Sequence, residues 1–238
     1  MTDTTIKDIL LNFIFPRRCV SCGKLAAYFC SICSPMIRTI GLTICPVCTK
    51  PSPFGYTHPR CKTKYSLDGL TSVFRYTGPI QKSIKMLKYR RVTDLVPELS
   101  KLIIARIEPF PQYAFHKFLK VKPVVIPIPL HWWRKRGRWF NQSELIAEEL
   151  AKDWNLEVRN NLLQRKKLTN SQAGLKKDER KANIKDAFEV SSVFDLPLTV
   201  DHVILFDDVW TTGSTMREAG NVLKRAGVTK VWALTIAR

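Results

Sequence analysis

From residue 65 onward, apolar residues fall alternately into short runs and helical repeats. LTSVFRY (70–76) reads as a strand, and GPIQKSIKMLKYRR (78–91) begins a helix with Ile80, Ile84 and Leu87 on one face. DLVPELSKLIIARI (94–107) predicts a second helix, with Pro97 early in it, where a missing N–H is tolerated. PVVIPIPL (123–130) is a β-branched buried strand, and FNQSELIAEELAKDW (140–154) is a strongly periodic helix. A buried strand HVILFDDV (202–209), a helix GSTMREAGNVLKRAG (213–227) ended by Gly227 and a strand VTKVWALTIA (228–237) follow. Strands alternating with helices predict an α/β fold, a mostly parallel sheet flanked by helices, with ligands at the carboxyl ends of its strands.

Residues 1–64 lack this rhythm and hold every cysteine. They read Cys19-x-x-Cys22, Cys30-x-x-Cys33, Cys45-x-x-Cys48 and His58-x-x-Cys61. A two-residue gap lets one tight turn present both side chains to a tetrahedral ion. Pairing in order makes one site of Cys19, Cys22, Cys30 and Cys33 and another of Cys45, Cys48, His58 and Cys61. Crossed, ribbon-style pairing stays open, as does one zinc beside buried reduced thiols. With Pro at 16, 35, 46, 51, 53 and 59, so short a segment builds little apolar core, and metal is its main staple. The expectation is a zinc-ribbon-like module over 1–64, a scaffold or grip because every ligand position is filled, followed by the α/β domain over 65–238.

Charge and leader signals narrow the setting. Thirty-nine Lys and Arg face 20 Asp and Glu, a formal net charge of +19. That excess favours polyanions over a merely solvated basic surface. The apolar stretch ILLNFIF (9–15) falls far short of the roughly 20 residues that cross a bilayer. MTDTTIKD lacks the basic start and cleavage site of a secretory signal. A cytoplasmic, reducing location is expected, where cysteine pairs serve as metal ligands rather than disulfides.

The candidate chemistry is concentrated in VILFDDVWTTGST (203–215). At the strand end, Thr211, Thr212, Gly213, Ser214 and Thr215 make a turn into a helix, where N–H groups and hydroxyls converge on a phosphate monoester. Asp207 and Asp208 repel a second phosphate but accept hydrogen bonds from a pair of hydroxyls. A phosphate and a cis-diol spaced by a sugar ring describe a ribose 5-phosphate. The stretch has neither the Walker frame nor the dinucleotide fingerprint.

This stretch resembles the phosphoribosyl pyrophosphate (PRPP) motif of type I phosphoribosyltransferases. Together with the cysteine pairs, PIPLHWWRKRGRWFNQSELIA and LLQRKKLTNSQAGLKKDERKANIKDAF, it makes nearly the whole chain similar to the ComF family, bacterial competence proteins needed for natural transformation and including GntX-like members. The family's Arg-Gly-Phe-Asn-Gln element corresponds to Arg138, Trp139, Phe140, Asn141 and Gln142. Its later element corresponds to Arg165, Gln172, Arg180, Asn183 and Phe188. Trp139 replaces the usual Gly, and His58 replaces a usual Cys, which zinc accepts. The resemblance implies a type I phosphoribosyltransferase-like fold, a site for PRPP with Mg²⁺, and engagement of incoming single-stranded DNA alongside other DNA-uptake or recombination proteins.

A pyrophosphate is normally met by a loop after another strand. The candidates are His131, Arg134, Lys135, Arg136 and Arg138 after VVIPIPL, with Lys88 from the facing helix and Arg165 and Arg180 from a later basic run. Magnesium takes its oxygens largely from ligand and water, so no protein cage is expected. HWWRKRGRWF also interleaves cations with Trp132, Trp133 and Trp139, a combination that stacks bases and tracks phosphates of a single strand. The competing reading buries these aromatics and leaves the cations to PRPP. An active phosphoribosyltransferase and a PRPP-sensing regulator are rival functions, and the acceptor of any transfer is not legible.

Overall fold

A computed structural model describes residues 16–109, 114–130, 140–166, 184–192 and 198–238. Its central sheet has four parallel strands in the order β1-β6-β5-β2: β1 (Gly69–Phe74), β2 (Val124–Pro127), β5 (His202–Val209) and β6 (Lys230–Ala237). Two short strands, β3 (Leu163–Arg165) and β4 (Phe188–Val190), pair antiparallel as a separate ribbon.

Strand alternation sorts the core onto two faces. Ile204 and Phe206 of β5, with Trp232, Leu234 and Ile236 of β6, point to one side; Val203, Leu205, Val231 and Ala233 point to the other. The first face is covered by α1 (Gly78–Lys85), α2 (Val96–Ile107), α3 (Ala114–Leu119) and α4 (Gln142–Trp154). The second is covered by α5 (Ser214–Arg225), through Met216, Ala219 and Leu223, and by the β3–β4 ribbon. With both faces covered, these strands are continuous apolar runs. Gly69 is required on β1 because a Cβ there would lie 2.5 Å from the Trp232 indole.

Helix ends follow local chemistry. Pro79 and Pro97 sit in the first turns of α1 and α2. The first helix does not run regularly to Arg91, as its periodicity suggests: after Lys85 it widens into a π-turn, Met86–Arg90, which carries Lys88. Asn155 ends α4 in the left-handed conformation, φ 49°. Periodicity misses α3, β3 and β4, which are too short to show a repeat.

The cysteine-rich segment is fastened to β1. Thr39 bridges Phe74 and Tyr56 bridges Gly69, and Ile40 N–H donates to Val73 O at 3.2 Å. Its first lobe also sends Arg17 to Asp94, in the turn before α2, and to Glu98, in its first turn, at 3.0 and 3.3 Å. Among the described residues, no helix is long and apolar enough to cross a membrane.

Candidate functional site

Asp207 and Asp208 are on the last turn of pleat in β5, at the carboxyl end of the sheet. Asp208 is 5% exposed, and its Oδ2 accepts from Lys88 Nζ at 2.6 Å and Gln142 Nε2 at 2.9 Å. Asp207 Oδ1 accepts from the Asp208 N–H at 2.8 Å and from Ser143 Oγ at 3.3 Å. Three elements therefore meet at the acid pair: the strand, the π-turn after α1 and the first turn of α4.

Electrostatics act strongly on Asp207. Desolvation at the strand end, reinforced by the Asp208 carboxylate, pushes Asp207 up to about 7, against the pull of Lys88 and of its hydrogen bonds. Burial would lower Lys88, but Asp208 and Asp207 outweigh it and raise its pKa, holding the ammonium charged. Tyr76 feels the charges of Lys88 and Asp208; burial raises its phenol, opposed by Lys88 and helped by Asp208.

Beyond the acids, Trp210 turns into the core and Gly213 takes φ +74°, beginning α5. A Cβ on Gly213 would lie 2.1 Å from the Trp210 indole, so close packing as well as backbone conformation demands glycine. Thr212 Oγ1 and Ser214 Oγ are 3.0 Å apart, and Ser214 N–H lies 3.4 Å from Thr212 Oγ1. The first-turn N–H groups of a helix have no intrahelical acceptor, so this turn offers donors and hydroxyls to an anion. Thr211 is exposed and Thr215 half-buried at the same turn.

The seven cysteines and His58 form two sequential quartets, not crossed ones. Cys19, Cys22, Cys30 and Cys33 place their ligand atoms within 4.8 Å of one another, as do Cys45, Cys48, His58 and Cys61. Tetrahedral zinc–sulfur bonds of about 2.3 Å require sulfurs about 3.8 Å apart; Cys22 and Cys30 stand at 3.7 Å. His58 Nε2 lies 2.9 Å from the Pro51 carbonyl and Nδ1 lies 3.4 Å from Cys48 Sγ. Donation from Nε2 to that carbonyl leaves Nδ1 free to bind metal, the usual second contact of a ligating histidine. Burial opposes ionisation of Cys19, but N–H groups of Cys22, Cys30 and Ser21 prevail and bring it down to about 6. Burial and adjacent sulfurs push Cys33 up to about 12 and Cys61 to about 11. A divalent cation relieves that crowding, and the donor sets fit Zn²⁺.

Of the remaining candidates, Arg165 lies on β3 with its guanidinium 5.4 Å from the Phe188 ring centroid. His131, Trp132, Trp133, Arg134, Lys135, Arg136, Arg138, Trp139, Gln172, Arg180 and Asn183 lie outside the described residues. Lys88, the pyrophosphate candidate from the facing helix, donates to Asp208. Ser143 and Tyr76 escaped the sequence reading. Ser143 has a signal in retrospect: Asn141-x-x-Glu144 is an N-cap pattern that puts residue 143 in the first turn.

A parallel α/β domain with a paired-acid, hydroxyl-rich strand end, preceded by two four-ligand metal sites, defines the class of protein. Residues 10–63 match the double zinc ribbon domain family. Over 209 residues the chain is 31% identical to the DNA utilization protein YhgH of Escherichia coli K12, covering 86% of this chain and 88% of that one. Competence protein F of Haemophilus influenzae is 29% identical over 236 residues, 96% of this chain and 100% of the relative. Competence protein ComFC of Bacillus subtilis is 27% identical over 214 residues, 83% and 78%. The chain belongs to the ComF family of competence and DNA-utilization proteins. No solved structure matches it.

Proposed function

We propose that this protein acts in competence, handling incoming single-stranded DNA in the cytoplasm, and that its α/β domain binds PRPP or a related sugar phosphate with Mg²⁺. The observation that carries the ligand assignment is the acid pair at the end of β5, flanked by the Thr212–Ser214 turn at the start of α5. In this reading Asp207 and Asp208 accept the ribose hydroxyls, and Thr211, Thr212, Gly213, Ser214 and Thr215 hold the 5-phosphate. Lys88 moves from Asp208 to the pyrophosphate as the sugar takes over the carboxylate. Magnesium draws its oxygens from the pyrophosphate and water. Residues 1–64 form the zinc module and 65–238 the phosphoribosyltransferase-like domain.

The DNA role rests on the relatives' names, the net charge of +19 and the basic aromatic segment His131–Phe140. Calorimetry with PRPP and Mg²⁺ tests the ligand, with an oligonucleotide titrated in parallel. Wild type should bind PRPP, and the Asp207→Ala/Asp208→Ala protein should lose at least about tenfold in affinity, about 1.4 kcal/mol. Equal affinities would remove the acids from the site. Oligonucleotide binding should weaken steeply with salt, and replacing Trp132, Trp133 and Arg136 should weaken it further. Pyrophosphate released when a nucleobase is added would favour the transferase reading.

A further inference from the structure

The two zinc lobes straddle the β1 side of the sheet. Val20 and Tyr28 of the first pack into the core under α1–α4, whereas Ile44 of the second joins the core under α5. Each knuckle also turns a carbonyl toward a cation on the helix it faces. Lys82 of α1 donates to Ser21 O at 3.0 Å, an exposed single contact. Arg217 of α5 does more. Its Nη1 donates to Pro46 O at 2.8 Å and Val47 O at 3.4 Å, the carbonyls between Cys45 and Cys48. Its Nη2 donates to Thr212 O, inside the phosphate turn. The same guanidinium lies 5.7 Å from the ring centroid of Trp210, the side chain packed on Gly213.

We propose that Arg217 is a positioning residue that couples the second zinc knuckle to the turn formed by Thr212, Gly213 and Ser214. The phosphate-binding half of this inference rests on the sugar-phosphate reading above; the mechanical half does not.

The physical argument begins at the knuckle. N–H groups of Val47 and Cys48 are directed at the Cys45 sulfur, so the carbonyls of Pro46 and Val47 face away from it, toward Arg217. Zinc bound at the four ligands locks that turn and its outward carbonyls. Three thiolates, a neutral imidazole and Zn²⁺ carry a net single negative charge, which the guanidinium complements. At its other end, Arg217 draws back the carbonyl of the Thr212–Gly213 peptide. In a planar trans peptide the N–H points opposite the C=O, so this bond orients the Gly213 N–H away from Arg217. A planar fork can grip two turns at once; a lysine, as a point donor, cannot hold both in the same way.

The test uses the full-length, zinc-loaded protein and compares Arg217→Met, Arg217→Lys, Lys82→Met, Cys48→Ser and Cys22→Ser. Two readouts are needed: zinc release to a chromogenic chelator and amide hydrogen exchange over residues 211–216. Arg217→Met should accelerate release of one of the two zincs by about tenfold, the scale of a lost charge-assisted hydrogen bond, and raise exchange at 211–216. Cys48→Ser should raise the same exchange, while Cys22→Ser and Lys82→Met leave it unchanged. Arg217→Lys should fall between, and it carries the test if the methionine variant does not fold. Unchanged exchange at 211–216 in the Arg217 and Cys48 variants overturns the coupling, as does an equal response to Cys22→Ser. Ribose 5-phosphate affinity, measured on the same set, should fall about tenfold in Arg217→Met. If exchange responds as expected but wild type binds neither ribose 5-phosphate nor PRPP, the coupling stands and the sugar-phosphate reading falls.

Discussion

Asp207 and Asp208 are chemically alike and adjacent, yet they have different surroundings. Asp208 is anchored by Lys88 and Gln142, whereas Asp207 is raised to about 7 by desolvation and by its neighbour's charge. Between the ordinary carboxyl range and about 7, the folded protein holds a proton that the unfolded chain has lost. Stability from this group is therefore fully present at low pH and is lost as pH rises through about 7. Asp207→Asn keeps the Oδ1 acceptor but removes the charge, so its Tm should exceed wild type at pH 8, the gap shrinking toward pH 5. Each kcal/mol recovered corresponds to about 2–4 °C for a chain of this size. Thermal melts across pH 5–8 check this; a gap independent of pH would mean that Asp207 is ionised throughout. On the proposed sugar-phosphate reading the carboxylate is the form that accepts the ribose hydroxyls, so ligand binding through Asp207 should strengthen over the same rise in pH.

At the scale of elements, α4 shows how a cap serves a site. Asn141 is 1% exposed; its Oδ1 accepts from Ser143 N–H at 3.1 Å, and its Nδ2 donates to Ile128 O at 3.0 Å and Glu144 Oε1 at 3.2 Å. One side chain thus starts the helix, ties it to the chain leaving β2 and sets the residues on either acid, Gln142 and Ser143. Asn141→Ala removes the cap and strands a buried carbonyl, and should cost about 2 kcal/mol. Urea unfolding should show a lower midpoint with an unchanged slope; a change below about 0.5 kcal/mol would show that another group or water replaces the cap. The limits of α4 and β5 were legible because periodicity, length and apolar content agree there. The π-turn was not: its composition is that of an ordinary helix, and only the Lys88–Asp208 contact shows what the widened turn presents.

For the whole molecule, the zinc lobes are part of the α/β body's edge rather than a detached tail, since each lobe supplies side chains to a different core face. Native mass spectrometry should find two zincs per chain, one in Cys22→Ser and one in Cys48→Ser. His58→Cys should keep both, because zinc accepts sulfur or imidazole in that position. One zinc in the wild type, or loss of both from either serine variant, would contradict two independent quartets.

Local spacing was enough to identify the ligand pairs, because a two-residue gap is a short-range geometry, and enough to identify the acid–turn motif, because strand, acids and helix start are contiguous. Apolar rhythm likewise determined the α/β class and the bounds of β5. Only the tertiary structure decided that Lys88 belongs to Asp208, that Gln142 and Ser143 hold the acids from another helix, and that the quartets are sequential. Arg217 is the clearest case: in sequence it is one more cation on a basic amphipathic helix. Its meaning depends on carbonyls some 170 residues earlier, a relation between segments that folding alone brings within hydrogen-bonding distance.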